Sequence, residues 1–224
     1  MKMAKYKLVC FDVDGTLVDN LEYSWELFHT YFKVDDARRK SARDAYFSGK
    51  ISYLKWAEHD INLWKEKNAR REQFIDAIEK SGIKLMEGAE SVIYELKKRG
   101  LKIAIISGSI SIILEHLFPD FDSVFDDVYI TRLFFDEDGI LSGAKPTFYD
   151  MEHKATALKE IAEREKLFLD ECVFVGDHHN DVKIAQEAGL SIAFNCKSDE
   201  LRKVAKIEIV EKDLRKILDF VTKE

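Results

Sequence analysis

Asp12 and Asp14 are two carboxylates one residue apart, directly after the apolar run of residues 7–11. At the end of a strand, that spacing puts one in place as nucleophile or metal ligand and the other as acid or base. Gly15 permits the tight turn that takes the chain away. Asp177 and Asp181 follow a second apolar run, residues 172–175, and Ser107 and Gly108 follow a third, residues 103–106. So many acids converging would repel one another unless a cation sat between them. Oxygen-only ligation without cysteine points to a hard ion, and magnesium best fits phosphate chemistry. A hydroxyl and the backbone N–H groups of a helix start form a phosphate cradle, and Ser107 with Gly108 is expected to provide one. Lys154 adds a fixed positive charge. A carboxylate nucleophile, an acid/base, a divalent metal and a phosphate clamp are the equipment for phosphoryl transfer.

These residues need a scaffold that brings strand ends together. The pattern predicts strands at 7–11, 102–107, 128–131, 172–175 and 192–194, with an edge strand at 207–210. A small hairpin is expected around Asp136 to Gly139. Helices are expected at 90–98, 109–118, 154–166 and 182–188. Between 21 and 81 the period changes to helical. Leu21, Trp25, Phe28 and Phe32 form one stripe, Leu54, Ala57, Ile61 and Trp64 another, and Phe74 with Ile78 a third. Ser52 is placed to cap one of these helices and Gly82 to end the last. The fold class is α/β: a doubly wound, Rossmann-like parallel sheet with a helical bundle inserted after the first strand. In such sheets ligands bind beyond the carboxyl ends of the strands, where Asp12, Asp14, Ser107, Asp177 and Asp181 all fall.

The bulk properties agree. The chain has 224 residues, 46% of them hydrophobic, enough for a proper core, and a formal net charge of -7. An acidic surface repels nucleic acid and anionic lipid, so neither is an expected partner. Cys10, Cys172 and Cys196 are odd in number and widely spaced, which argues against disulfides and zinc. No stretch resembles a signal peptide or a membrane span, and a reducing cytoplasm is the expected setting. Adjacent His178 and His179 point in different directions, and rim roles are expected for them. Trp25, Trp56 and Trp64 are expected in the core of the helical bundle rather than against substrate.

The motif Phe11-Asp12-Val13-Asp14-Gly15-Thr16-Leu17-Val18-Asp19 resembles the first motif of the haloacid dehalogenase-like hydrolases. Ile106-Ser107-Gly108-Ser109 is similar to their second, Lys154 to their third, and Gly176-Asp177-His178-His179-Asn180-Asp181 to their fourth. The four come in family order and span nearly the whole chain. Within the family the chain most resembles phosphoserine phosphatases. The resemblance implies Asp12 as nucleophile and Asp14 as general acid, then base. It implies magnesium held by Asp12, Asp177 and the backbone carbonyl of Asp14, with Asp181 supporting the metal. Ser107, Gly108 and Lys154 would bind phosphate, and Asn180 would help order the metal and phosphate shell. Lys145, before Pro146, rivals Lys154, but its distance to Asp177 in sequence favours Lys154. Residues 20–84 would be a cap closing over a core of 1–19 and 85–224. The substrate would be a small phosphorylated metabolite, and the protein a monomer or homodimer.

The cap departs from that pattern. Glu22 lies one place off the family's amine-binding glutamate. A gapless alignment from Gly49 through Tyr53 puts Asp60 where the family has the arginine for the substrate carboxylate. Arginine to aspartate reverses the charge at a bidentate site. The motifs therefore imply phosphatase chemistry without implying phosphoserine. Glu22, Tyr53, Trp56 and Asp60 are the candidates for cap specificity. A phosphomutase would share the same site. A receiver domain storing phosphate on an aspartate would lack both the Asp14-type acid and the cap.

Overall fold

A computed structural model describes residues 5–222, apart from the side chain of Glu152; residues 1–4 and 223–224, assigned above to the core, lie outside the described residues. Strand β1 (Leu8–Phe11) runs through the middle of the molecule with every residue buried. Strand β2 (Val18–Asp19) leads into four helices, α1 (Ser24–Phe32), α2 (Asp36–Phe47), α3 (Tyr53–Glu66) and α4 (Arg71–Ser81). Strand β3 (Lys84–Leu85) pairs antiparallel with β2, so a two-stranded ribbon brackets the helical insert. The chain then alternates: α5 (Ala89–Lys98), β4 (Lys102–Ile110), α6 (Ile112–Leu117), α7 (Phe121–Val124), β5 (Asp127–Phe135) and β6 (Leu141–Lys145). It ends with α8 (Lys154–Glu165), β7 (Cys172–Gly176), α9 (Val182–Glu187), β8 (Leu190–Phe194), α10 (Asp199–Val204), β9 (Ile207–Ile209) and α11 (Leu218–Val221).

Seven strands form one sheet in the order β6-β5-β4-β1-β7-β8-β9. All pairs are parallel except β5 with β6, the expected hairpin. Alternation along the strands sends neighbouring side chains to opposite faces. Val9, Phe11, Ile103, Ile105, Val173 and Val175 join one apolar cluster. Leu8, Cys10, Ala104, Ile106, Cys172 and Phe174 join the other, with Leu158 and Ile161 of α8 and Ile184 of α9. Both faces are thus covered, as a continuously apolar strand requires. The three cysteines are buried and unbridged.

Two local expectations need correction, and one helix went unpredicted. The stretch 109–118 is not one helix from Ser109: β4 continues to Ile110, and α6 starts at Ile112. Pairing shows why. Ile106 faces Tyr129 and Ile110 faces Thr131, so four steps along β4 match two along β5. The surplus residues, Ser107 to Ser109, bulge out of the ladder, a common device beside active sites. The phosphate cradle expected from a helix start is therefore a strand bulge. Helix α2 had no sequence signal, because Ala42 is its one buried residue and no apolar stripe exists. Its capping is clear in retrospect: Asp35 accepts a hydrogen bond from Arg38 N–H. Second, of the three tryptophans only Trp64 is buried core (0% exposed). Trp25 and Trp56 are half-buried and line a cavity. Ser52 and Gly82 act as expected, Ser52 accepting from Lys55 N–H and Gly82 closing α4 in the left-handed conformation.

Candidate active site

The carboxyl ends of β1, β4 and β7 meet at one place because these strands are neighbours in the sheet. Asp12 follows β1, and its N–H donates to Val175 O at 2.9 Å, which ties the loop to β7. Asp177 follows β7, and Asp181 sits one turn later, fully buried. Asp12, Asp177 and Asp181 each offer a carboxylate oxygen, and these oxygens lie within 4.8 Å of one another. No histidine joins that trio. Asp181 Oδ2 accepts from the N–H groups of Asp177 (2.9 Å) and His178 (3.1 Å), so it also shapes the loop.

Two lysines face these acids. Lys154, 1% exposed at the start of α8, reaches Asp12 Oδ1 at 3.0 Å and Asp181 Oδ1 at 2.7 Å. Lys197 Nζ reaches Asp177 Oδ2 at 3.1 Å. Burial pushes the Asp12 carboxyl up to about 6, against the pull of Lys154 and the Ser107 hydroxyl. Burial, with the charges of Asp12 and Asp181, also holds Asp177 well above the usual carboxylate range. Burial works against the charge of Lys154, but Asp12, Asp181 and Asp150 outweigh it and hold the ammonium well above its ordinary value. Three buried carboxylates against two lysines leave a net negative pocket of oxygen donors. That donor set fits a hard divalent cation.

Asp14 stands apart from that trio. Its Oδ2 accepts from Ser24 N–H at 2.7 Å, and its Oδ1 accepts from the Ser109 hydroxyl at 2.5 Å. Burial raises its carboxyl to about 6, moderated by the Ser109 hydrogen bond. Gly15 has φ +74 and its Cα faces Asp177, whose Oδ2 would lie 2.1 Å from any Cβ there. A side chain at position 15 would thus be both strained and in collision.

Two adjoining cavities occupy the region. The smaller, about 40 Å³, is bordered by Asp12, Asp14, Ser107, Gly108, Asp177 and Asn180, with Glu22 and His178 at its edge. The larger, about 470 Å³, lies among α1, α2 and α3 and is lined by Trp25, Tyr53, Trp56 and Asp60 among others. Tyr23, Trp25, Asp150 and Asn180 border both. The sequence candidates therefore divide. Asp12, Asp14, Ser107, Gly108, Asp177, Asn180 and Glu22 gather at the small cavity. Tyr53, Trp56 and Asp60 belong to the large one. Lys145 is exposed at the end of β6, an edge strand separated from β1 by β5 and β4.

Several residues at the site were missed. Asp150 accepts from the Tyr53 hydroxyl (2.8 Å) and from Asn180 Nδ2 (3.0 Å), and it packs on Gly108, where a Cβ would meet its carboxylate. Nothing in the local sequence marks it. Lys197 was findable, since it lies just past the carboxyl end of β8. So was Ser109, two residues after Ser107. Trp25 donates its indole N–H to Gly108 O at 2.9 Å, and the Tyr23 hydroxyl bonds His178, two further links between helical insert and sheet.

The model of the haloacid dehalogenase-like hydrolases matches residues 6–189, and the chain belongs to that family. It is 33% identical over 220 residues to a phosphoserine phosphatase of Methanocaldococcus jannaschii, covering 97% of this chain and 98% of the relative. A phosphoserine phosphatase of Lactococcus lactis is 28% identical over 99% of this chain and 98% of its own length. Among solved structures, a substrate-bound phosphoserine phosphatase complex superposes with a TM-score of 0.74 at 29% identity, covering 98% of this chain and 100% of the other. A phospho-aspartyl intermediate analogue of phosphoserine phosphatase gives 0.72 at 29% identity, covering 97% and 100%. No helix among the described residues is long and apolar enough to cross a membrane.

Proposed function

We propose that this chain is a magnesium-dependent phosphatase that hydrolyses a small phosphate monoester through a phospho-aspartyl intermediate. The observation that carries this is the buried meeting of Asp12, Asp177, Asp181 and Lys154, with Asp12 and Asp177 facing a 40 Å³ niche. That niche has room for about three waters, the size of a phosphoryl group's three free oxygens.

Asp12 is the nucleophile. Its carboxylate is held by Lys154 and the Ser107 hydroxyl, leaving an oxygen to attack phosphorus in line. The leaving oxygen takes a proton from Asp14, whose raised carboxyl suits an acid that must later act as base. In the second half, Asp14 takes a proton from water, which attacks the acyl phosphate and frees Asp12. Ser107, the Gly108 backbone and Lys154 bind the phosphoryl oxygens, and Asn180 helps order the metal and phosphate shell. Asp12 and Asp177 would hold magnesium with the Asp14 carbonyl, and Asp181 would support it. The ion supplies charge neutralisation of the phosphoryl oxygens. Residues 20–84 form a cap over a core of 5–19 and 85–222, excluding water and shaping the leaving-group cavity.

The test is release of free phosphate from an aryl phosphate with magnesium, and its loss with a chelator. Asp12→Asn is expected to abolish turnover while circular dichroism and melting stay near wild type. Normal turnover in that variant would remove Asp12 from the role of nucleophile. Isomerised ester in place of free phosphate would indicate a mutase.

A further inference from the structure

The chemistry of the larger cavity's lining bears on the leaving group. Its walls are aromatic, with Trp25 and Trp56 foremost. Its fixed charges lean acidic. Three carboxylates, Glu26, Asp60 and Asp150, outnumber two guanidiniums, Arg39 and Arg43. The terminal nitrogens of Arg39 are held by Glu26 and Asp36, leaving only its buried Nε without a partner, and Arg43 is solvent-exposed.

Asp60 is 5% exposed at the cavity wall. The Trp64 indole N–H can only donate, and it meets His29 Nδ1 at 3.1 Å. His29 therefore carries its proton on Nε2, which donates to Asp60 Oδ2 at 3.2 Å. The other carboxylate oxygen, Oδ1, meets His59 Nδ1 at 3.0 Å, so two imidazoles orient Asp60, each oxygen keeping a further lone pair for a ligand. At the junction of the two cavities, Asn180 shows the same hunger for a donor. Its Nδ2 is committed to Asp150, which fixes the amide orientation, and its buried Oδ1 has no partner. A second acceptor facing the cavity disfavours a ligand that places a carboxylate at this junction.

The spacing sets the ligand's length. Tyr53, bonded to Asp150 beside the niche, and Asp60 lie seven residues apart on α3, about 10 Å along its axis. We propose that the substrate is the phosphate monoester of an extended amino alcohol, whose distal ammonium pairs with Asp60 while its body lies on Trp25 and Trp56. This rests on the phosphatase reading and names the substrate class of the same site. An ammonium over aromatic faces gains further from the ring quadrupoles. A substrate ending in a carboxylate would instead meet Asp60.

The experiment compares kcat/KM for 6-aminohexyl phosphate with that for heptyl phosphate, in which methyl replaces ammonium. Phosphoserine and an aryl phosphate are run beside them. The amine is expected to win by roughly ten- to a hundredfold, the range of one hydrogen bond to a charged group. Asp60→Asn is expected to collapse that ratio toward one, and Asp60→Glu to retain part of it. A ratio is read within each variant, so partial misfolding cannot mimic the result. Equal rates on amine and heptyl esters would overturn the proposal, as would a ratio untouched by Asp60→Asn or phosphoserine as the best substrate. Such results with robust aryl phosphate hydrolysis leave the phosphatase reading standing; silence on every ester, aryl phosphate included, sinks both.

Discussion

Replacing Lys154 by methionine keeps most of its volume and removes one buried charge. The ammonium sits 3.0 Å from Asp12 Oδ1 and 2.7 Å from Asp181 Oδ1, and the side chain is 1% exposed. Without it, Asp12, Asp177 and Asp181 face only Lys197, whose side chain is 37% exposed. Breaking a buried ion pair by removing one partner costs about 3–5 kcal/mol, because the remaining charge stays desolvated. For a domain of this size that is a fall in Tm of roughly 6–20 °C. The pH dependence follows from Asp12. Its carboxyl is raised to about 6 even with Lys154 present, and losing the lysine raises it further. A carboxyl whose folded pKa exceeds its unfolded value, about 3.9, destabilises the fold progressively as pH rises toward the folded pKa. At pH 5.5 the group is largely protonated in both proteins, so the deficit is expected to be smaller there and to widen between about pH 6 and 8. Magnesium held as proposed by Asp12 and Asp177 would offset the unpaired charge and is expected to narrow the gap. Thermal melts of both proteins, with chelator and then with magnesium, at pH 5.5 and 8, measure this directly. A variant that melts with wild type in chelator at pH 8, or a deficit independent of pH, would refute the electrostatic account. Turnover should fall by about a hundred- to a thousandfold, the usual loss for one preorganised group that stabilises charge.

Other outcomes follow from the same contacts. Gly108→Ala drives a Cβ to within 1.9 Å of Asp150 Oδ2, and urea unfolding should show a loss of about 1–3 kcal/mol. Adding Asp150→Ala should recover part of that loss, because the two changes share one clash. Burial holds the His29 imidazole below its ordinary value despite the Asp60 hydrogen bond, so the folded protein binds fewer protons than the unfolded chain near pH 6. Stability is therefore expected to fall as pH drops through about 6.5, and His29→Gln should flatten that limb of the melting curve. Trp25→Phe removes the indole bond to Gly108 O and the stack on Trp64. Its KM should rise several-fold more than its kcat falls, as steady-state kinetics would show.

Much of this molecule was legible from local patterns. Apolar runs marked the strands, and acids just beyond them marked the site, because a parallel sheet delivers all its carboxyl ends to one side. Asp12, Asp14, Asp177 and Asp181 needed no more than that rule and their residue type. Lys154 was placed by resemblance to the family motif, and the structure brings its ammonium between Asp12 and Asp181. The rule extended one strand further would have found Lys197. Helix α2 escaped because its charges run all the way round, and the stripe that signals a helix exists only when one side is buried.

What the sequence determined by itself was which residue types follow which strands, and hence the chemistry on offer. Tertiary structure alone decided the rest. The register of β4 against β5 turned Ser107 to Ser109 into a bulge, since pairing depends on a strand distant in sequence. Packing of α1 and α3 set a neutral His29 behind Asp60, and the approach of Tyr53 to Asp150 closed the insert onto the sheet. These contacts span 31 and 97 residues, and no periodicity of the chain encodes a distance that only folding makes short.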